Sequence, residues 1–198
     1  AGAAPTYSDD DRIERAQRMI SAHAWDGAVA ELAQIDARAP KAIRIRRDYW
    51  LGTALFKMRR RYADAGKLLL GVADDMRSAE ALFHGARALS RADHDDNAIR
   101  HYREVVKRYP KTAWAEEAQY LTGWLEFNRG DYRAAIAPLA ETIRRYPKSK
   151  WMDDALWFLG MSHYLVGDPA AALPHLAKLA ARSGSLEAGK GAYWQARA

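Results

Sequence analysis

The chain has 198 residues, 49% of them apolar and 28% charged, with no cysteine and a formal net charge of +6. That is a globular composition with ample core. The lack of cysteine excludes disulfides and cysteine-ligated metals but says nothing about compartment. No apolar run approaches the ~18 residues a membrane-crossing helix needs, so no transmembrane segment is predicted.

Residues 1–8 read as a disordered N-terminal segment, and the start at Ala1 suggests that a leader has been removed. From residue 9 the chain repeats itself. RYPKTAWAEEA (residues 108–118) returns as RYPKSKWMDDA (residues 145–155), 37 positions later. Self-similarity at this period marks stacked helix-turn-helix units, none of which can bury its apolar face alone. A small residue near the middle of each first helix sets the register: Ala16, Gly52, Gly85, Gly123, Gly160 and Ala196. It lies where the two helices of a hairpin cross, and a larger side chain would hold them apart.

Seven residues after this mark comes a turn, at His23, Gly130 and Gly167, where glycine permits the positive φ that ends the first helix. Five residues further on, Ala28, Ala135 and Ala172 lie on the second helix, which Pro40, Pro110 or Pro147 then closes. The third unit has one extra turn residue, in Ala92-Asp93-His94-Asp95-Asp96-Asn97. The second has Arg59-Arg60-Arg61 in its turn and no closing proline. The predicted fold is all-α, a right-handed α-solenoid of about five helix-turn-helix repeats plus a truncated sixth. The units run at about 9–40, 41–76, 77–110, 111–147 and 148–182, and residues 183–198 begin the sixth. A solenoid usually ends in a polar capping helix. This one ends mid-pattern on aromatic residues, so it reads as a fragment with more protein expected after Ala198.

The acidic pairs Glu116-Glu117 and Asp153-Asp154 fall at equivalent places at the start of a first helix, where carboxylates complement the helix dipole. Recurrence favours capping over catalysis, because a catalytic pair would normally occur once. None of the six histidines forms a metal-ligating spacing. His94, among Asp93, Asp95 and Asp96, reads as a solvated turn. No catalytic residue, cofactor or metal is predicted, and the chain alone is not read as an enzyme.

Aromatic residues recur at fixed places on the first helices. Tyr49, Tyr120 and Trp157 stand three residues before the mark, and Phe56, Phe127 and Tyr164 four after it; Trp124 and Asn128 lie close by. These eight are the candidate concave-face ligand contacts, since Tyr and Trp offer flat apolar faces with a polar edge. The competing reading is that they fill the seam between adjacent first helices. Trp114 and Trp151 recur with the Tyr-Pro-Lys linker and read as structural.

These marks resemble tetratricopeptide (TPR) repeats, with Tyr-Pro-Lys-Ser linkers similar to a longer variety in bacterial envelope proteins. ALFHGARALSRADHDDNAI, YLTGWLEFNRGDYRAAI, DDALWFLGMSHYLVGD and GKGAYWQARA, between residues 80 and 198, are similar to the helical region of soluble lytic murein transglycosylases. That resemblance implies a periplasmic or cell-envelope location. It also implies a non-catalytic superhelical domain whose parent reaches a peptidoglycan glycan strand through a downstream catalytic domain. The alternative is a free-standing TPR-type adaptor of the cell envelope that binds a protein or peptide. The charge of +6 suggests anionic partners, yet clusters such as Arg44 to Arg61 are common on solvated faces. No nucleic-acid partner is expected.

Overall fold

A computed structural model describes residues 7–182 and 188–197. Among the described residues the structure is eleven α-helices and no strand. They are α1 (Asp9–Ser21), α2 (Trp25–Leu32), α3 (Lys41–Lys57), α4 (Tyr62–Ala73), α5 (Ala79–Arg91), α6 (Asp95–Arg108), α7 (Ala113–Asn128), α8 (Tyr132–Arg145), α9 (Met152–Leu165), α10 (Pro169–Ala180) and α11 (Ala188–Arg197). The chain divides into two compact units, residues 1–101 and 102–198, with the boundary inside α6.

Capping chemistry decides where several helices start. Ser8 and Asp11 form a reciprocal capping box ahead of α1, and Asp9, Asp10 and Asp11 occupy its first turn. The Ser8 hydrogen bonds hold the Asp11 carboxyl below its usual range. Of the segment expected to be disordered, residues 1–6 lie outside the described residues, whereas Ser8 belongs to the helix start. Ser78, Thr112, Asp131 and Asp168 cap α5, α7, α8 and α10 by accepting a hydrogen bond from the backbone N–H three residues on.

The marks predicted from the sequence are where helices touch. A Cβ built on Gly123 would stand 2.6 Å from Leu139 Cγ; on Gly52, Gly85 and Gly160 the nearest leucine carbon would be 2.8, 2.7 and 2.7 Å away. Ala16 is fully buried. Ala196 is exposed, because no helix packs over it among the described residues, but Gly191 five residues earlier keeps the register of buried Ala118 and Ala155. Gly191 sits against the Ala180 backbone, where a Cβ would approach to 2.9 Å.

Every hairpin turn uses a left-handed residue. Gly130 and Gly167 have φ of 86° and 84°, and His23, Arg59 and Asp93 supply the same conformation at 60°, 55° and 60°. The third turn bends one residue later than the others, at Asp93, because α5 runs one residue further past its mark. The expected longer turn is corrected, since residues 92–94 match the three-residue turns of most other hairpins. The second turn carries an additional left-handed residue, Arg61 at 54°.

In the first unit, Ile13, Ala16 and Ile20 of α1 pack with Ala28 and Leu32 of α2 and Ala54 of α3, and Leu55, Ala65 and Ala88 form a second cluster. In the second unit, Tyr120, Ala135, Leu139, Ala155 and Leu159 form one core, and Met152, Leu156 and Leu179 another. One predicted boundary is corrected. α2 ends at Leu32, and Pro40 is the N-cap of α3 rather than the stop of α2. The residues between are held by the Asp36 side chain, which accepts from the Arg38 N–H, and by burial of Ile35 and Ala39.

The acidic pairs also gain a second role. Glu116 accepts a hydrogen bond of 2.6 Å from Ser149 Oγ, Glu117 lies 3.8 Å from Lys150, and Asp153 pairs with Arg182. Comparable contacts in the first unit join Asp10 to Arg46 and Asp75 to Lys41. All five link positions about one repeat apart.

Two predictions arise here. Gly71, in α4, has open space where a Cβ would go, so Gly71→Ala is expected to stabilise by about 0.5–1 kcal/mol in urea unfolding. Ser149 is buried and its Oγ also accepts the Trp151 N–H. Ser149→Ala is therefore expected to cost about 1–2 kcal/mol by the same measurement.

Candidate functional site

In the second unit the predicted contact positions are mostly occupied by neighbouring side chains. Tyr120 is only 4% exposed and lies flat on Trp151, ring centroids 4.8 Å apart at 9°. Burial, reinforced by Asp154, pushes its hydroxyl pKa far up. Tyr120 is thus a core residue, not an open ligand contact, and Trp151 is structural as expected from its linker.

Phe127 meets Phe158 edge-on at 4.8 Å and Tyr132 at 5.1 Å. Trp157 and Tyr164 are brought together by Trp194 of α11, at 6.4 and 5.2 Å. Trp124 is half-buried against the same cluster as Tyr120. Asn128 is exposed, but its amide donates to its own helix at Trp124 O.

A rule emerges within this unit. The aromatic four residues after one mark packs on the ring two residues before the next, as Phe127 does on Phe158 and Tyr164 on Trp194. That second position (Trp50, Phe83, Phe158, Trp194) is readable in the sequence once the register is set.

In the first unit, Tyr49 is half-buried, and its pKa is raised by burial and by the nearby Glu80 carboxylate. Phe56 behaves differently, because it borders open space. It lines a cleft of about 350 Å³ together with Lys57, Arg59, Tyr62, His84, Arg87 and Arg91. Phe56 contacts Tyr62 at 5.8 Å and His84 at 5.5 Å, so three rings form one wall.

The four cations come from the end of α3, the following turn and one face of α5. Among the described residues none forms an ion pair with Lys57, Arg59 or Arg91. Arg61, by contrast, is matched by Asp64 at 2.8 Å, and Arg12 by Glu31 at 2.9 Å. A recess of about 70 Å³, lined by Thr53, Phe56, Lys57, Leu69, Glu80 and His84, shares three residues with the cleft. His84 is pushed down to about 4, first by burial and then by Lys57 and Arg87; its Nε2 lies 3.9 Å from Glu80. At neutral pH it is an uncharged imidazole beside cations.

Of this lining, sequence reasoning named only Phe56 as a contact. The signal for the rest was present: His84, Arg87 and Arg91 fall three and seven positions apart on one helical face. Among the described residues no group of three or more His, Asp or Glu is placed to hold a metal ion. His94 stands exposed at the start of α6.

A family model described as YfiO, outer membrane lipoprotein, matches residues 74–178, a little over half of the chain. The chain belongs to this family. No curated protein matches it by sequence. By structure, this YfiO-family chain is similar to a crystal structure of MamA, with a TM-score of 0.72, 19% identity and coverage of 86% of this chain and 89% of that one. A second MamA structure gives 0.71, 18%, 92% and 96%. YrrB, described as a TPR protein with an unusual peptide-binding site, gives 0.72, 16%, 94% and 92%.

These likenesses establish the TPR-like helical-repeat fold. They give no support to the lytic transglycosylase resemblance, and the adaptor alternative fits them better. Among the described residues no helix is long and apolar enough to cross a membrane.

Proposed function

We propose that this YfiO-family chain is a TPR-type scaffold of the bacterial cell envelope that holds partner proteins or peptides and performs no chemistry of its own. The observation that carries this reading is the family match over residues 74–178, falling on helical hairpins throughout. Arrays of this kind use their exposed helix faces for binding. The description of YrrB as a peptide binder lends further support. The family's description as an outer membrane lipoprotein supports an envelope association, and a periplasmic location with partners at the outer membrane is part of this proposal.

The test is photocrosslinking in cells that make the protein, with the crosslinking residue placed in turn at exposed Lys57, Asn128 and Leu165. Adducts with defined envelope proteins that also co-purify with the chain are expected. Absence of protein adducts from all three positions, or release of muropeptides from purified sacculi by the chain alone, would overturn the reading.

A further inference from the structure

Resting on the scaffold reading, we propose that the cleft between the α3–α4 turn and α5 is a docking site for an acidic, extended segment of a partner protein. Three observations converge. Lys57, Arg59, Arg87 and Arg91 surround one concavity, three of them without a carboxylate partner among the described residues, so the site carries charge that a ligand can neutralise. Some arginines of the same unit are matched, Arg12 and Arg15 by Glu31 and Arg61 by Asp64; what sets the cleft apart is that its four cations are gathered around one concavity. Apolar surface is also present: Phe56 borders both the cleft and the adjoining recess, where it and Leu69 leave room for a small aliphatic side chain beside Thr53, Lys57, Glu80 and His84.

The occupant follows from size and charge. The cleft holds a few side chains, not a helix of roughly 10 Å diameter. Carboxylates on an extended chain can each meet a guanidinium, because arginine presents several donors in a planar fork. One aliphatic residue between them fills the recess. A nucleic acid fits less well. The cations ring a pocket instead of tracking a backbone. Glu80 on the recess wall repels any anion, so the carboxylates stay among the cations and only an uncharged side chain enters the recess. Such a site favours fast, salt-sensitive capture with specificity set by charge placement.

Fluorescence anisotropy on the purified chain tests this directly. The probe is a labelled peptide of aspartates and glutamates around a single leucine, compared with its asparagine and glutamine isostere. Binding of the acidic peptide is expected, with the isostere weaker by about 10-fold or more and the affinity falling as salt rises. The double variant R59Q/R91Q changes two exposed side chains and is expected to lose about 10-fold or more in affinity. R133Q, in the other unit, should bind like the parent, and matching thermal unfolding shows that all variants are folded.

Equal binding of both peptides, or indifference to R59Q/R91Q, overturns the proposal. A single-stranded oligonucleotide that binds more tightly, with the same arginine dependence, overturns it too by assigning the cleft to phosphate. The scaffold reading fails separately. If the adduct formed from position 57 persists undiminished in R59Q/R91Q, the scaffold stands and the acidic dock falls; if no position gives adducts, the scaffold itself falls.

Discussion

Gly123→Leu is expected to destabilise the second unit by about 3 kcal/mol or more and to broaden its unfolding transition, read by urea denaturation followed by circular dichroism. At this crossing even a Cβ would stand 2.6 Å from Leu139 Cγ and 3.1 Å from the Leu139 backbone nitrogen. The leucine side chain could turn away, but the backbone of α8 cannot without separating the helices. Separation would also strip cover from Tyr120, Ala135 and Leu159, which share the same core. The comparison with Gly71→Ala makes the test internal. Both substitutions improve intrinsic helix propensity, yet they are expected to move stability in opposite directions, because only one glycine lies at a helix contact. Equal effects from the two would remove the packing role assigned to the register marks.

The second large effect is on pH dependence. His84 titrates near 4 in the folded chain, mainly because it is buried and then because Lys57 of α3 and Arg87 of α5 face it. Glu80, 3.9 Å away, acts in the opposite sense without prevailing. An ordinary histidine titrates near ~6.5, so the unfolded chain binds the proton more readily than the folded one.

The neutral imidazole is therefore compatible with full stability above about pH 6.5, and stability is lost as pH falls from there towards about pH 4. Linkage puts the loss at about 2 kcal/mol by about pH 5 and about 3 kcal/mol by about pH 4. His175 acts in the same direction, lowered first by burial and then by His163 and Lys178. Urea unfolding of the parent and of His84→Gln across this range isolates the contribution, since carboxylates titrate in both. The parent is expected to lose stability more steeply; parallel curves would show that His84 is not held neutral by the fold.

The architecture was legible because helix-hairpin repeats write their contacts at fixed intervals. One small residue per hairpin, at Gly52, Gly85, Gly123 and Gly160, gave the crossing points, and the turn residues seven or eight positions later gave the left-handed bends. Proline misled once: Pro40 starts α3 instead of ending α2, because local turn chemistry around Asp36 stopped that helix earlier. Spacing along one helix marks the acidic pairs only as complements of the helix dipole. Their links to Ser149, Lys150 and Arg182 depend on how successive hairpins nest, which spacing along one helix does not reveal.

The candidate site was less legible for the same reason. Counting along single helices found an aromatic column, most of which turned out to seal seams against the next helix, with Tyr120 wholly inside. The cleft is assembled from the end of α3, a turn with two left-handed arginines and a face of α5, segments about thirty residues apart in sequence. Its cations looked like ordinary solvated charge until the fold placed them around one concavity.

The polar links between positions one repeat apart constrain how such a chain can change length. Glu116 finds Ser149, and Glu117 finds Lys150, because the intervening residues make one whole hairpin step. Gaining or losing an entire repeat would recreate each latch at the new junction, since both halves travel with the repeated module. Gaining a single residue in the linker would instead swing Ser149 and Lys150 around the helix start and break both at once. Lineages of this chain should thus vary by whole repeats or within the hairpin turns, as the longer turn between α3 and α4 already does, and keep the linker between α8 and α9 at fixed length.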